Sequence, residues 1–137
     1  MKIRPEWSLR LGLGVMYLYS GFDLMKNPTG WHWALPYWLS QFIEKLVAID
    51  NYLRFQGFVE ILLALIFLAW FLRPKLVFWA ALVSALELLG ILVLAFAPFR
   101  EANFLITFRD IGLLGASLAL VAVMWRKFHT QRAEGML

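Results

Sequence analysis

The sequence predicts an all-α integral membrane protein: a four-helix bundle crossing the bilayer, with an interfacial aromatic and amphipathic segment between helices 1 and 2. Three observations carry this expectation. The chain is 62% hydrophobic and only 16% charged, against roughly 45–50% and about 25% in ordinary globular domains. It holds four apolar stretches, each close to the 20 or so residues that a membrane helix needs. Its seven Trp and twelve Phe suit the aromatic belts of membrane–water interfaces. At 137 residues the chain is one domain by length, a single transmembrane unit over 1–137.

The first span is expected over about 7–25. Pro5 suits a helix start, Arg10 and Asp23 weaken the apolar run, and Asn27-Pro28-Thr29-Gly30 is a strong stop. The second is expected over about 55–72, ending at Arg73-Pro74, and the third over about 76–99, closed by Pro98. The fourth runs over about 102–125 and ends in Arg126-Lys127, with a polar, frayed tail from His129 onward. Between the first two lies an interfacial segment over about 28–52. It is too polar to span and too aromatic for a free loop, so Trp31, Trp33, Tyr37 and Trp38 are expected at headgroup level, followed by a short amphipathic helix.

Lys and Arg concentrate on the cytoplasmic side of membrane proteins. Lys2, Arg4 and Arg10, then Arg73 and Lys75, then Arg126, Lys127 and Arg132 fall on one side. Lys26, Lys45, Arg54 and Arg100 are spread along the other. Both termini are therefore expected in the cytoplasm, with the protein in the plasma membrane (the inner membrane of a bacterium). The basic start is read as an uncleaved first span, since no small-residue cleavage site follows the apolar run.

The net charge of +4 resides at span ends, where it sets topology, so no nucleic-acid partner is expected. The absence of cysteine excludes disulfides, thiolate metal sites and thiol redox catalysis. His32 and His129 lie outside the spans, so neither a bis-histidine haem nor a metal site is expected.

Ionisable residues inside a membrane cost about 2.5–3.5 kcal/mol or more each, and usually face the bundle interior. Here they are Asp23, Glu60, Glu87, Arg109 and Asp110. Glu60 shares a helical face with Gln56, Gly57 and Ala64, Glu87 with Ala80, Ser84 and Gly90, and Arg109 with Gly112, Ala116 and Ala119. Small neighbours let helices approach closely, so each charge is expected on a packing face. At about 1.5 Å rise per residue, Asp23, Glu60, Arg109 and Asp110 fall in the outer half, with Arg54 at the mouth, and Glu87 nearer the middle. The first four with Arg54 form a candidate site for a quinone headgroup or small substrate, and Glu87 a candidate proton relay. Alternatively, the charges are structural pairs, such as Glu60 with Arg109, that fix helix register. Met16, Tyr17 and Tyr19 are expected to pack the core.

The order of several short motifs resembles the DoxX-like membrane proteins. They are Arg10-Leu-Gly-Leu-Gly through Tyr19-Ser-Gly-Phe-Asp23, Asn27-Pro28-x-Gly-Trp31, Leu35-Pro-Tyr-Trp-Leu39, Gly57-Phe-Val-Glu60, and Arg109-Asp110-x-Gly112-Leu-Leu-Gly115. Many members carry a lysine directly after the position of Asp23, where this chain has Leu24. The resemblance implies a four-helix membrane bundle related to the membrane subunit of a quinone-linked oxidoreductase. It implies a lipid bilayer and a protein partner or homo-oligomer as surroundings, with a quinone as the cofactor to consider and nothing bound covalently. A non-catalytic assembly or anchoring subunit, and a small carrier using Glu87, are the competing readings.

Overall fold

The computed structural model describes residues 4–96 and 104–133, with side chains over 4–94 and 109–130. Among the described residues every regular element is helical: α1 Pro5–Lys26, a 3-10 helix Pro28–Ala34, α2 Tyr37–Glu44, α3 Ile49–Leu68, α4 Pro74–Phe96 and α5 Phe104–Ala133. The expected roles of Pro98, Arg100 and Ala102 at the α4–α5 connection lie outside the described residues, as does the end of the tail after 133.

Local chemistry accounts for the helix ends. Pro5 opens α1, where its missing N–H costs nothing, with Glu6 in the first turn and Lys26 in the last. The Asn27 N–H donates to the Asp23 carbonyl at 2.7 Å, and Pro28 prevents continuation. Pro74 likewise opens α4. α3 begins earlier than expected, taking in Asp50, Asn51 and Tyr52, and stops at Leu68. Its early stop has a physical cause. The Arg10 guanidinium donates from Nε to the Phe67 carbonyl at 2.8 Å and from Nη2 to the Ala69 carbonyl at 2.5 Å, meeting carbonyls that a helix end leaves without partners. Where a frayed tail is expected from His129 onward, α5 continues as helix to Ala133.

Among the described residues three helices are long and apolar enough to cross a membrane: α3, α4 through Leu94, and α5 over Arg109–Thr130. α1 is 22 residues long but carries Glu6, Arg10, Asp23 and Lys26, and falls outside that group. Large apolar side chains point outward all along the helices, among them Leu11, Phe22, Phe58, Leu65, Val83 and Leu118. That is the exterior a lipid bilayer requires.

α1 packs along α3 and α4 along α5, with α1 also meeting α5 and α3 meeting α4. α1 and α3 approach closely at Gly21 and Gly57, where a Cβ on either glycine would lie 2.7 Å from the other's carbonyl oxygen. The apolar core sits toward the end of the bundle where α1 begins. It is built from Leu13 and Tyr17, Leu63 and Phe67, Val77 and Ala81, and Leu120 and Met124. At that end Lys127 Nζ donates to Glu6 at 2.9 Å, tying the start of α1 to α5. The other half of the bundle, where the tryptophan-rich segment lies, is built around a cavity.

Candidate functional site

The cavity has a volume of about 330 Å³ and is lined by all four long helices and the 3-10 segment. Each element contributes a distinct kind of surface. α1 brings Met16, Tyr17, Ser20 and Leu24, and α3 brings Tyr52, Leu53, Gln56 and Glu60. α4 presents Glu87 among Leu86, Gly90, Ile91 and Leu94, while α5 adds Arg109, Asp110 and Leu113. Trp31, Trp33, Ala34, Leu35 and Pro36 form the remaining wall. The result is an apolar pocket with carboxyl groups on three helices, α3, α4 and α5.

Gln56 and Glu60 are one helical turn apart, so they share a face of α3. Gly57 lies between them in the contact with Gly21, which brings that face against Ser20 of α1. Ser20 and Gln56 are the polar neighbours of the Glu60 carboxyl. Glu60 is only 5% exposed. Across the cavity the Gln56 amide Nε2 donates to Glu87 Oε1, and the Tyr17 hydroxyl lies close to the same carboxyl. Oε2 of Glu60 and Oε2 of Glu87 are both buried with no hydrogen-bond partner among the described residues.

Beyond Glu87 the polar groups continue into the core. The Tyr17 hydroxyl is 2.8 Å from Ser84 Oγ, which is 2.8 Å from Ser117 Oγ. Tyr17, Ser84 and Ser117 are all at most 2% exposed, so the three hydroxyls satisfy one another at the meeting of α1, α4 and α5.

The aromatic wall is fastened at both ends. The Trp31 indole N–H donates to Asp23 Oδ2 at 2.8 Å, and Asn27 Nδ2 donates to Asp23 Oδ1 at 3.1 Å. His32 Nε2 lies 2.7 Å from Asp50 Oδ1 at the start of α3. Trp31 and Trp33 stack with ring centroids 5.9 Å apart.

Of the residues expected to converge, Glu60, Arg109 and Asp110 line the cavity, and Glu87 joins them through Gln56 instead of standing alone at mid-depth. Asp23 is not a lining residue; its carboxylate holds Trp31 and Asn27. Arg54 is exposed and contributes nothing to the wall. Arg109 pairs with its neighbour Asp110 at 3.4 Å, not with Glu60, and its side chain is 63% exposed. The face carrying Arg109, Gly112 and Ala119 is exposed, and a Cβ on Gly112 would meet nothing within 4 Å. Gly112 and Ala119 are not used in packing among the described residues, whereas Ala116 of the same expected face is half-buried against the core. Tyr19, expected in the core, is 76% exposed. Gln56 and Ser20 are the functional candidates that sequence reasoning missed; their position one turn from Glu60 and three residues before Asp23 was the available signal.

Fold and cavity together define an all-helical membrane protein with a carboxyl-lined internal pocket. No family model, curated protein or solved structure matches the chain. Among the described residues no group of three or more His, Cys, Asp or Glu is placed to hold a metal ion.

Proposed function

We propose that this chain is a DoxX-like membrane subunit of a quinone-linked redox system, crossing the plasma membrane four times with both termini in the cytoplasm. Its cavity binds the quinone headgroup or a similarly small amphipathic ring. α1 supplies the fourth crossing. Its 22 residues reach about 33 Å at 1.5 Å per residue, and its buried charges, Glu6 and Arg10, are met by Lys127 and by the end of α3.

One observation carries the reading: an apolar, aromatic-walled cavity with unpartnered carboxyl oxygens on Glu60 and Glu87. Small-molecule sites combine mostly apolar walls with a few placed polar groups. A carboxyl inside a membrane segment is a candidate functional group for the same reason that it is costly. The order of motifs shared with DoxX-like proteins supports the quinone as occupant.

The test is binding of a decyl-tailed benzoquinone and of its hydroquinone to the purified protein in lipid nanodiscs. Wild type is expected to bind at least one of them, and Glu60→Gln and Arg109→Gln to bind more weakly. If neither form binds the wild-type protein, the proposal fails. Variants that lose thermal stability but keep the wild-type affinity would point instead to an assembly or anchoring subunit.

A further inference from the structure

The hydrogen-bonding character of the cavity bears on which form of a quinone it takes, an inference that rests on the reading above. Four of the lining groups able to donate are engaged elsewhere. The Gln56 amide N–H is given to Glu87, and the Trp31 indole N–H to Asp23. Arg109 is exposed and turned to Asp110, and the Tyr17 hydroxyl is engaged with Ser84. The buried atoms left without partners are carboxyl oxygens, one on Glu60 and one on Glu87. Glu60 is 5% exposed, so bulk water does not supply what the protein leaves out.

A buried polar atom without a partner costs free energy that a ligand can recover only by offering the complementary group. A carboxylate accepts hydrogen bonds and cannot donate, whereas a carboxylic acid donates one and accepts others. A phenolic hydroxyl meets either state, because it can donate to the carboxylate or both donate to and accept from the acid. A quinone carbonyl only accepts, so it meets the acid alone and leaves a carboxylate unsatisfied. The geometry points to a cavity that selects the dihydroxy, hydroquinone form of its ligand over the dicarbonyl form, with Glu60 taking one hydroxyl and Glu87 adding a second acceptor. The ring then lies against the apolar wall formed by Trp31, Trp33 and Leu53, lining groups of the same pocket.

Isothermal titration of the full chain in nanodiscs tests this with three probes under anaerobic conditions. They are a decyl-tailed benzoquinone, its hydroquinone, and the di-O-methyl ether of that hydroquinone, which keeps ring and tail but has no hydroxyl to donate. A site built around hydroxyl groups discriminates strongly against analogues that lack them, so the hydroquinone is expected to bind at least about tenfold tighter than either other probe. Glu60→Gln, whose amide both donates and accepts, is expected to reduce that ratio to about threefold or less. Glu87→Gln should reduce it in the same direction and serves if Glu60→Gln does not fold. Equal or tighter binding of the benzoquinone by wild type overturns the inference and leaves the proposed function standing. An unchanged ratio in both variants overturns it as well. Absence of binding by both the quinone and the hydroquinone removes the proposed function itself.

Discussion

The indole N–H of Trp31 donates to the Asp23 carboxylate at 2.8 Å, joining the last turn of α1 to the aromatic wall of the cavity. Asp23 thus acts on the site at one remove. The same carboxylate accepts from Asn27 Nδ2 at 3.1 Å, so a single side chain shapes the turn between α1 and the 3-10 helix. Asp23→Ala removes both acceptors while leaving every cavity-lining carboxyl in place. Amide hydrogen exchange across 28–36 is expected to quicken, since a single short 3-10 helix protects its amides weakly without tertiary contacts. Exchange in α4 should be unaffected. Identical protection of 28–36 in the variant would mean that the His32–Asp50 contact holds the wall without help.

Gly21 and Gly57 set the distance between α1 and α3. Gly57→Ala would place a methyl 2.7 Å from the Gly21 carbonyl oxygen and 2.9 Å from Leu24 Cβ, and backbone cannot yield as a flexible side chain does. The cost is expected at about 1–3 kcal/mol, in the range of overpacked cores, read as a lower thermal midpoint in detergent. Binding in the cavity should weaken too, because Ser20 and Glu60 move apart with the helices. Gly112→Ala is the control. A Cβ there meets nothing within 4 Å, and replacing an interior helical glycine by alanine favours the helix by about 0.5–1 kcal/mol. Equal destabilisation by the two substitutions would contradict this account.

The sequence made some of this legible and hid the rest for identifiable reasons. Pro5 and Pro74 begin α1 and α4 as their chemistry requires, and the tryptophan-rich run forms a short non-spanning segment followed by α2. Glu60 with Gly57 and Ala64 forms the packing face that their spacing predicts, since all three are buried. The same periodicity argument fails for Arg109, Gly112 and Ala119, which are exposed, and holds on that face for Ala116 alone. Spacing reveals which residues share a face, but not whether any helix lies opposite it. In the sequence Arg10 reads as a charge that weakens a span and marks the cytoplasmic side, because hydropathy scores its cost and is blind to the carbonyls of Phe67 and Ala69 at the end of a helix 57 and 59 positions away. The bond from Gln56 to Glu87 depends on the rotation of α3 against α4, and a single sequence does not encode that rotation in any local pattern.

Arg10 joins α1 to the end of α3 through contacts suited to a guanidinium. Its Nε and Nη2 reach the carbonyls of Phe67 and Ala69, and its Cζ sits 4.3 Å from the Trp7 ring centroid. A lysine ammonium keeps the charge but lacks the planar fork that serves two carbonyls together and stacks on an indole. Arg10→Lys is expected to destabilise by about 1–3 kcal/mol, the cost of leaving buried groups imperfectly bonded. Arg10→Leu should cost at least as much despite its better hydropathy. Denaturation midpoints in detergent decide between them. A more stable Arg10→Leu variant would show that the residue serves insertion topology and not the fold.

Tyr17 links the cavity to the core, and its hydroxyl can be separated from its ring by substitution. Tyr17→Phe keeps the tilted contact with Phe67, whose ring centroid lies 6.1 Å away, and deletes the hydroxyl with its bond to Ser84 at 2.8 Å and its contact with the Glu87 carboxyl. Ser84 retains Ser117 at 2.8 Å, so the loss should be modest, about 1 kcal/mol, as for a neutral hydrogen bond. Ser84→Ala removes the middle member and leaves two hydroxyls, on Tyr17 and Ser117, without that partner; it should therefore cost more than Tyr17→Phe. If the three hydroxyls act as a unit, the double variant will cost less than the sum of the two, with a coupling of about 0.5–3 kcal/mol. Additive losses would mean that each hydroxyl finds another partner once its neighbour is gone. A further readout comes from the ligand side. Because Tyr17 lies close to Glu87, Tyr17→Phe removes a donor from beside that carboxyl and makes it a better acceptor for an incoming hydroxyl. Hydroquinone affinity should then hold or rise in Tyr17→Phe while stability falls, and a parallel loss of both would assign Tyr17 to the binding surface.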